Sequence, residues 1–247
     1  MITIASKDNT RIKNAKKLYK KKYRKDSYLI EGLHLYEEAK QANAQFRQIF
    51  VTEKYAAISS PIAVTVVSDD VMRELSDADT PQGIVAEVLY KAPLSLPETL
   101  DKLLILENVQ DPGNVGTMIR TADAAGFSGV VLTAGSADSY SPKVLRTMQG
   151  SHFHLPIFQE NDAKAFYARL KTQHMTIIAT TLSDRSVDYR TISKPDKFAL
   201  VMGNEGAGIT DETARQADIL AHINMPGAAE SLNVAVAAGI MIFSLTD

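Results

Sequence analysis

Apolar and polar residues follow two periods along the chain, and together these periods predict an α/β protein. Short apolar runs bounded by turn residues predict buried strands at Phe46–Val51, Ile84–Leu89, Leu103–Leu106 and Phe198–Met202. Apolar residues spaced three and four apart predict helices between the strands. Strands that alternate with helices favour a mainly parallel sheet covered on both faces.

The residues before position 90 predict a small α/β domain. The basic stretch Arg11–Tyr23 carries Ile12, Ala15 and Leu18 as a thin apolar stripe and predicts a helix. The other elements predicted here are strands at Tyr28–Ile30 and Ala63–Val67, and helices at Leu33–Ala42 and from Asp69 or Asp70 to Leu75. The segment Tyr90–Pro97 contains two prolines and no clear period, so it predicts a linker between domains at 1–92 and 98–247.

The second domain alternates strand and helix more regularly. Its remaining predicted elements are strands at Val130–Thr133, Met175–Thr180 and Ile219–Ile223, and helices from Asp111, at Pro142–Met148, at Asp162–Lys171 and at Ser231–Leu245. The last of these helices is apolar nearly all round. Such a helix is buried, either inside its domain or in a subunit interface.

Three segments of the second domain each follow a strand and contain candidate chemistry. In the first, Asp111 is placed as the N-cap and Pro112 at the first helical position. Helical spacing then puts Thr117 and Arg120 on one face with small residues. A guanidinium on such a face can bind a phosphate or a ribose oxygen.

The second segment, Met202–Ile209, has glycines in a G-x-x-G-x-G pattern with Glu205 between them. This is neither the dinucleotide G-x-G-x-x-G fingerprint nor a Walker A loop. The third segment, Ile223–Val234, passes through a Pro-Gly turn to a helix that is predicted to open near Ser231. A tight structural turn explains the glycines as well as a ligand loop does.

Charge is distributed unevenly along the chain. The net charge is −2, but residues 1–25 hold ten Lys or Arg against the single acid Asp8, which leaves 17 basic and 28 acidic residues elsewhere. A basic arm on an acidic body favours a polyanion partner, although a solvated helix face is an equal alternative. The chain has no cysteine, which excludes disulfides, thiol nucleophiles and thiolate metal sites.

The same observations bear on location. A chain without disulfides suits the cytoplasm. The N-terminus shows no apolar signal region, and the longest apolar run, Val234–Phe243, is too short to span a bilayer. We therefore expect a cytoplasmic protein with no membrane partner and no metal.

The three segments, in their order and spacing, resemble the signature motifs of the SpoU (TrmH-type) branch of the SPOUT RNA methyltransferases. The resemblance covers about residues 103–245, with Asn114, Arg120, Glu205, Ser231 and Asn233 at the pattern positions. The stretch from Tyr140 through Ser151 is also similar to that family. The first domain resembles the L30e-like RNA-binding domain of many members, including its segment Ile30–Gly32.

This resemblance implies a parallel α/β sheet with a deep trefoil knot, a rare exception to the rule against knots. It implies a homodimer that binds S-adenosylmethionine through the knot loops. The cofactor-binding residues carried over from the family are Gly203, Ile223 and Leu232, with Thr180, Leu182 and Met225 as further candidates.

The implied reaction is methyl transfer to a ribose 2′-hydroxyl in RNA. The resemblance assigns Arg120 as the catalytic residue, and since a guanidinium stays protonated at neutral pH, we expect it to grip a phosphate and stabilise the developing alkoxide. Asn114 and Asn233 are expected to orient the ribose, Ser231 to assist through hydrogen bonds, and Glu205 to anchor Arg120 or its loop.

The first domain is expected to hold the RNA. Its phosphate-binding candidates are Lys13, Lys16, Lys17, Lys20, Lys21, Lys22 and Arg24. Tyr19 and Tyr23 are candidates for stacking on bases. Ribosomal RNA of the 23S type is preferred over transfer RNA, because the L30e-like domain is similar to that of members that act on ribosomal RNA.

Other functions stay open at this point. A nucleotide-dependent oxidoreductase or transferase on an ordinary Rossmann sheet lacks its fingerprint here. An RNA-binding protein with an inactive methyltransferase domain would be free to lose the five motif residues. A SPOUT enzyme that methylates a base rather than a ribose keeps the fold but leaves RNA open to alkaline cleavage.

Overall fold

The computed structural model describes residues 2–91 and 100–246. Up to residue 91 the strands are β1 (Ile2–Ile4), β2 (Ser27–Glu31), β3 (Phe46–Val51), β4 (Thr65–Val67) and β5 (Ile84–Leu89). The helices of the same stretch are α1 (Thr10–Lys17), α2 (Leu33–Gln41) and α3 (Asp69–Leu75). Short 3₁₀ turns supplement these elements.

From residue 100 onward, strands and helices alternate. The strands are β6 (Lys102–Leu106), β7 (Gly129–Thr133), β8 (Ile157–Glu160), β9 (Thr176–Thr180), β10 (Val187–Asp188), β11 (Phe198–Met202) and β12 (Ile219–His222). The helices are α4 (Pro112–Ala124), α5 (Pro142–Met148), α6 (Ala163–Thr172), α7 (Asp211–Gln216) and α8 (Val234–Thr246). None of the helices in the described ranges is long and apolar enough to cross a membrane.

The strands form two sheets. The first is mixed, in the order β1-β4-β3-β5-β2, with β5 antiparallel to both of its neighbours. The second has seven strands in the order β10-β12-β9-β11-β6-β7-β8, and every neighbouring pair is parallel. The predicted parallel sheet is therefore confirmed. Strand β11 is buried along its whole length and β6 is buried from Leu103 onward, which explains why these stretches are continuous apolar runs.

The described residues divide into two compact units. The first contains residues up to 91 together with Tyr140–Phe153, and the second contains the rest. Within the first unit, Arg146 forms an ion pair with Asp77 at 3.1 Å, and His152 Nε2 lies 3.0 Å from the Tyr28 hydroxyl. Helix α5 thus groups with the N-terminal strands. The predicted domain boundary and most of the predicted linker lie outside the described residues.

Helix α1 is shorter than predicted. It ends at Lys17, and residues 21–23 form a separate 3₁₀ turn. A continuous helix to Tyr23 would place Lys16 below Lys20 and Lys17 below Lys21, and like charges four residues apart destabilise a helix. The buried side of α1 is as predicted: Ile12 and Ala15 join the core of the first unit.

Two helices differ from the predicted ones at their N-termini. Helix α3 is capped by Ser68, whose hydroxyl accepts a hydrogen bond from the Val71 N–H, and not by either aspartate. Helix α8 begins three residues later than predicted, because the Asn233 side chain accepts from the N–H groups of Ala235 and Val236. Both residues satisfy N–H groups that have no partner within their helix.

Candidate active site

The three motif segments leave the same edge of the parallel sheet. They follow β6, β11 and β12, and in the sheet β11 lies between β6 and β9, with β12 next to β9. From β6 the chain continues to β7 and β8 on one side, whereas β9 and β12 lie on the other side of β11. Ligands bind at the carboxyl ends of parallel strands where the strand order reverses in this way.

Helix α4 begins as the sequence predicts. The Asp111 side chain accepts from the Asn114 N–H at 2.9 Å, and Pro112 occupies the first turn. Val115, Met118, Ile119 and Ala122 are buried, while Thr117 and Arg120 are exposed. The exposure of both Thr117 and Arg120 agrees with their predicted position on one face of this helix.

The glycine loop after β11 is held by Asn204. Its backbone exchanges two hydrogen bonds of 2.9 Å with Gly208. Its side-chain oxygen accepts from the N–H groups of Gly206 and Ala207, and its amide nitrogen donates to the carbonyl of Asn108 at 2.8 Å. The side chain of Asn204 therefore closes the loop and attaches it to the segment after β6.

Gly203 stands where the loop folds back on itself. A Cβ at this position would lie 2.5 Å from the backbone nitrogen of Ile209 and would collide with the carbonyl group of Gly208. Because both contacts are with backbone, no side-chain rotation relieves them. A glycine is required here by close approach.

A chain of hydrogen bonds joins the three segments. The Glu205 carboxylate accepts from the N–H groups of Gln110 and Asp111 at 3.2 and 2.9 Å and from the Asn114 amide at 3.1 Å. The Asn114 side-chain oxygen in turn accepts from the Asn233 amide at 3.0 Å. Asn233 is also the residue that caps α8. The N-terminus of α8, the glycine loop and the N-terminus of α4 are thereby fixed to one another.

The environment keeps Glu205 ionised. Partial burial raises the pKa of this carboxyl group, but hydrogen bonds from the Asp111 backbone and the Asn114 side chain lower the pKa more, so the net shift is below its ordinary value. Two roles were predicted for Glu205, to anchor Arg120 or to anchor the loop. Its hydrogen bonds attach the glycine loop to the residues that open α4. No described contact links Glu205 to Arg120.

A cavity of about 420 Å³ opens between these segments. Its wall includes all six residues that the resemblance carries over to the cofactor: Thr180, Leu182, Gly203, Ile223, Met225 and Leu232. The Thr180 hydroxyl donates to the Val201 carbonyl at 3.0 Å, and Leu182 is 81% exposed at the opening. This volume lies within the range of small-molecule sites.

The catalytic candidates fall into three groups by position. Glu205 and Ser231 line the cavity. Asn114 and Asn233 lie in the hydrogen-bond chain that ends at Glu205, and each uses its side-chain oxygen and one amide hydrogen within the protein. Arg120 is exposed, is not part of the cavity wall, and has no hydrogen bond or ion pair with any described residue. Its guanidinium is available to a substrate.

The sequence analysis did not select Glu107, which is almost fully buried at the end of β6. Its carboxylate accepts from the Thr210 N–H, from the Thr210 hydroxyl at 2.8 Å and from the Thr213 hydroxyl at 2.7 Å. The Tyr167 hydroxyl therefore donates to Thr213, and burial raises the pKa of Tyr167 to about 12. This buried cluster fixes the residues that follow the glycine loop. The only local signal for Glu107 in the sequence was the position of an acidic residue at the end of an apolar strand.

The cavity residues that were also not selected include Asn204, His222 and Glu230. His222 Nδ1 lies 2.9 Å from the Ser186 hydroxyl oxygen. That hydroxyl is also 2.7 Å from the Ser183 carbonyl, which can only accept, so the His222 Nδ1–H is the donor to Ser186. Among the described residues, no group of three or more His, Asp or Glu is placed to hold a metal ion.

The basic candidates of the first unit lie mostly on its surface. All six lysines between positions 13 and 22 are exposed, and Arg24 is half-buried. Lys13 pairs with Asp8 at 2.6 Å and Lys16 pairs with Glu74, so these two are already neutralised in part. Tyr23 is 43% exposed, but Tyr19 packs against the core of the unit. Tyr19 is therefore poorly placed to stack on a base.

Two successive parts of the chain match known families. Residues 101–243 match the SpoU rRNA Methylase family, and residues 9–86 match the MRM3-like substrate binding domain. The chain is 39% identical over 250 residues to the 23S rRNA (guanosine(2553)-2'-O)-methyltransferase RlmP of Bacillus subtilis, and the alignment covers 99% of each protein.

Solved structures agree. The AdoMet-bound rRNA methyltransferase from Sinorhizobium meliloti has a TM-score of 0.89 at 34% identity and covers 98% of this chain and 96% of its own. The A. aeolicus TrmH/SpoU tRNA modifying enzyme is 31% identical, has a TM-score of 0.55 and covers 60% of this chain and 75% of its own. These matches set aside the ordinary Rossmann alternative. With more than half of its residues in the matched region, the chain belongs to the SpoU rRNA methylase family.

Proposed function

We propose that this chain transfers a methyl group from S-adenosylmethionine to a ribose 2′-hydroxyl of RNA, and that its substrate is a guanosine of 23S-type ribosomal RNA. The observation that carries the proposal is the enclosure of one cavity by the segments that follow β9, β11 and β12 within the family region. The hydrogen-bond chain from Glu205 through Asn114 to Asn233 joins this cavity to the helix that carries Arg120.

The cavity residues suit the cofactor. Ile223, Leu232 and Met225 offer apolar surface for a flat aromatic base, and the glycine loop offers backbone donors and acceptors. When bound, S-adenosylmethionine would supply its sulfonium methyl group to the ribose 2′-oxygen, leaving the thioether S-adenosylhomocysteine, and the hydroxyl proton would pass to water. The trefoil knot expected from the resemblance is part of this proposal.

Arg120 supplies the electrostatic part of the reaction. Its guanidinium is exposed and has no partner within the described chain, so the positive charge is free to meet a phosphate and a developing alkoxide. A guanidinium is always protonated, so it stabilises negative charge rather than removing the proton. Ser231 is exposed on the cavity wall, so its hydroxyl is available to hydrogen-bond to the ribose.

Ribosomal RNA is favoured over transfer RNA by the extent of the structural likeness. The S. meliloti rRNA methyltransferase is similar along nearly the whole chain, whereas the A. aeolicus tRNA enzyme is similar over little more than half of it. The likeness to the S. meliloti enzyme extends to the first unit, which matches a substrate-binding domain.

The decisive experiment is methylation of 23S ribosomal RNA and of bulk transfer RNA with labelled S-adenosylmethionine. We expect label in ribosomal RNA and resistance of one linkage to alkaline cleavage, because a 2′-O-methyl group blocks that cleavage. Labelled transfer RNA alone would favour the tRNA alternative. Label at a linkage that is still cleaved by alkali would show base methylation, and absence of label would favour an inactive RNA-binding protein.

The lysines of the first unit supply the phosphate contacts. Lys20 and Lys21 are exposed and have no described partner, and Lys22 lies 5.1 Å from the centre of the Tyr23 ring. We expect the triple change Lys20→Ala, Lys21→Ala, Lys22→Ala to weaken RNA binding and to reduce the slope of log affinity against log salt by about 2 to 3. Filter binding at several salt concentrations measures both quantities.

Removing residues 1–25 is not a suitable form of this test. That change deletes β1, which pairs with β4, and it deletes Ile12 and Ala15 from the core. The matched control is Lys164→Ala, Lys194→Ala, Lys197→Ala, three exposed lysines of the second unit. Equal losses for the two triple variants would contradict a specific role for the N-terminal lysines.

The chain is expected to act as a homodimer in the cytoplasm, where ribosomal RNA is found. Helix α8 packs on α4, yet its Val236 and Phe243 are 53% and 42% exposed. An exposed apolar helix face of this kind is suited to a second copy of the chain. Sedimentation velocity measures the mass directly, and a monomer at micromolar concentration would contradict the proposed dimer.

A further inference from the structure

The cavity wall has an uneven distribution of charge. It includes two carboxylates, those of Glu205 and Glu230, and none of the described wall residues is a lysine or an arginine. The other wall residues are apolar or neutral and polar, together with His222. A ligand that enters this cavity therefore meets negative charge only, as long as His222 is neutral.

The two carboxylates differ in their surroundings. Glu205 is held by donors from the segment after β6, so its oxygen atoms are already occupied. Glu230 is exposed, lies in the segment between β12 and α8, and has no hydrogen bond or ion pair with another described residue. Its charge is therefore not offset by the protein and is available to a ligand.

The methyl donor and the product differ by one charge. This step rests on the proposed function, in which the cavity holds S-adenosylmethionine. The donor has a sulfonium, an ammonium and a carboxylate, whereas S-adenosylhomocysteine has a neutral thioether in place of the sulfonium. A nearby carboxylate favours the charged form, and the preference grows as water is excluded.

We propose that Glu230 is a specificity-determining residue that makes the cavity bind the cationic methyl donor in preference to the neutral product. Its carboxylate stabilises the positive charge at sulfur and gains nothing from the thioether. The residue thus lets the donor compete more effectively with the product for the cavity. Because Glu230 is exposed, water and salt screen its charge, and the effect is moderate.

The test compares two affinities in the same variant. Isothermal titration calorimetry of the full-length protein with S-adenosylmethionine and with S-adenosylhomocysteine gives the ratio of the two dissociation constants. Glu230→Gln keeps the size of the side chain and removes its charge. We expect it to shift the ratio against the donor by about three- to tenfold, with little change for the product, and we expect high salt to reduce the shift.

Three controls make the result specific. Glu230→Asp keeps the charge and is expected to keep most of the preference. Asp196→Asn removes an exposed carboxylate of the same unit that is not on the cavity wall, and it is expected to leave the ratio unchanged. Sinefungin, which has an ammonium close to where the donor has its sulfonium, is expected to follow the donor.

Two outcomes overturn the proposal while leaving the proposed function intact. An unchanged ratio in Glu230→Gln shows that the carboxylate does not sense the sulfonium. An equal loss for donor and product shows that it binds the ammonium that both ligands share. A wild-type protein that binds neither ligand overturns the proposed function and this inference with it.

Discussion

Replacing Gly203 by alanine is expected to weaken cofactor binding by more than about tenfold while leaving most of the fold in place. The added methyl group would meet the Gly208 carbonyl group and lie 2.5 Å from the Ile209 nitrogen, and both are backbone atoms of the loop that walls the cavity. The loop must move to accept the new atom. Overpacking of this kind costs about 1–3 kcal/mol, and the displaced loop no longer matches the cofactor.

We expect Gly203→Ala to lower the affinity for S-adenosylmethionine by more than about tenfold, which corresponds to about 1.4 kcal/mol of binding free energy. Calorimetry measures this, and urea denaturation measures the stability of the second unit. Gly206→Ala is the matched control in the same loop, because the nearest atom to its added Cβ is 3.8 Å away. Near-normal binding by both variants would refute the requirement for close approach at Gly203.

Replacing Arg120 by alanine is expected to reduce methyl transfer while leaving cofactor binding and stability unchanged. The side chain is exposed, is not on the cavity wall and has no described partner, so its loss removes no internal contact. Methyl transfer is expected to fall by about 10²- to 10³-fold, as when one donor to a developing oxyanion is removed. The melting temperature and the affinity for S-adenosylmethionine are expected to remain those of the wild type.

The control for Arg120→Ala is Arg215→Ala, which removes an exposed arginine that pairs with Glu212 on α7. We expect this variant to keep its activity. Arg120→Lys separates charge from shape, since a lysine keeps the charge but loses the planar donor pair. Retained activity in Arg120→Ala would remove the residue from the mechanism, and a matching loss of cofactor affinity would point to a structural role.

Sequence reasoning was most reliable where burial or a local contact determines the element. The strands Phe46–Val51, Ile84–Leu89 and Phe198–Met202 have the predicted bounds. The start of α4 is also as predicted, because its cap and its proline lie within four residues of the contacts that they make. Hydrophobic periodicity indicates which residues are buried, and capping residues indicate contacts within the first turn of a helix.

The hydrogen-bond networks were not predictable by these means. Glu107 meets Thr213 across 106 residues, and Asn114 meets Glu205 across 91 residues. Neither the hydrophobic pattern nor the helix and strand propensities of the residues indicate pairs so far apart in the chain. Strand β10 has only two residues, which is too short for any period to appear. The motif residues themselves came from the resemblance to the family, and local chemistry gave no reason to choose Asn204, His222 or Glu230.

The bond between Asn114 and Asn233 joins residues that are 119 positions apart in the chain. Contacts of such separation form late, because the loop between them must first be closed against its conformational entropy. During synthesis on the ribosome, Asn114 emerges well before Asn233, and the bond between them cannot form until Asn233 has emerged. Closure of the site consequently depends on the segment after β12, and a chain that stops before Asn233 would possess the parallel sheet without the bond that joins α4 to α8.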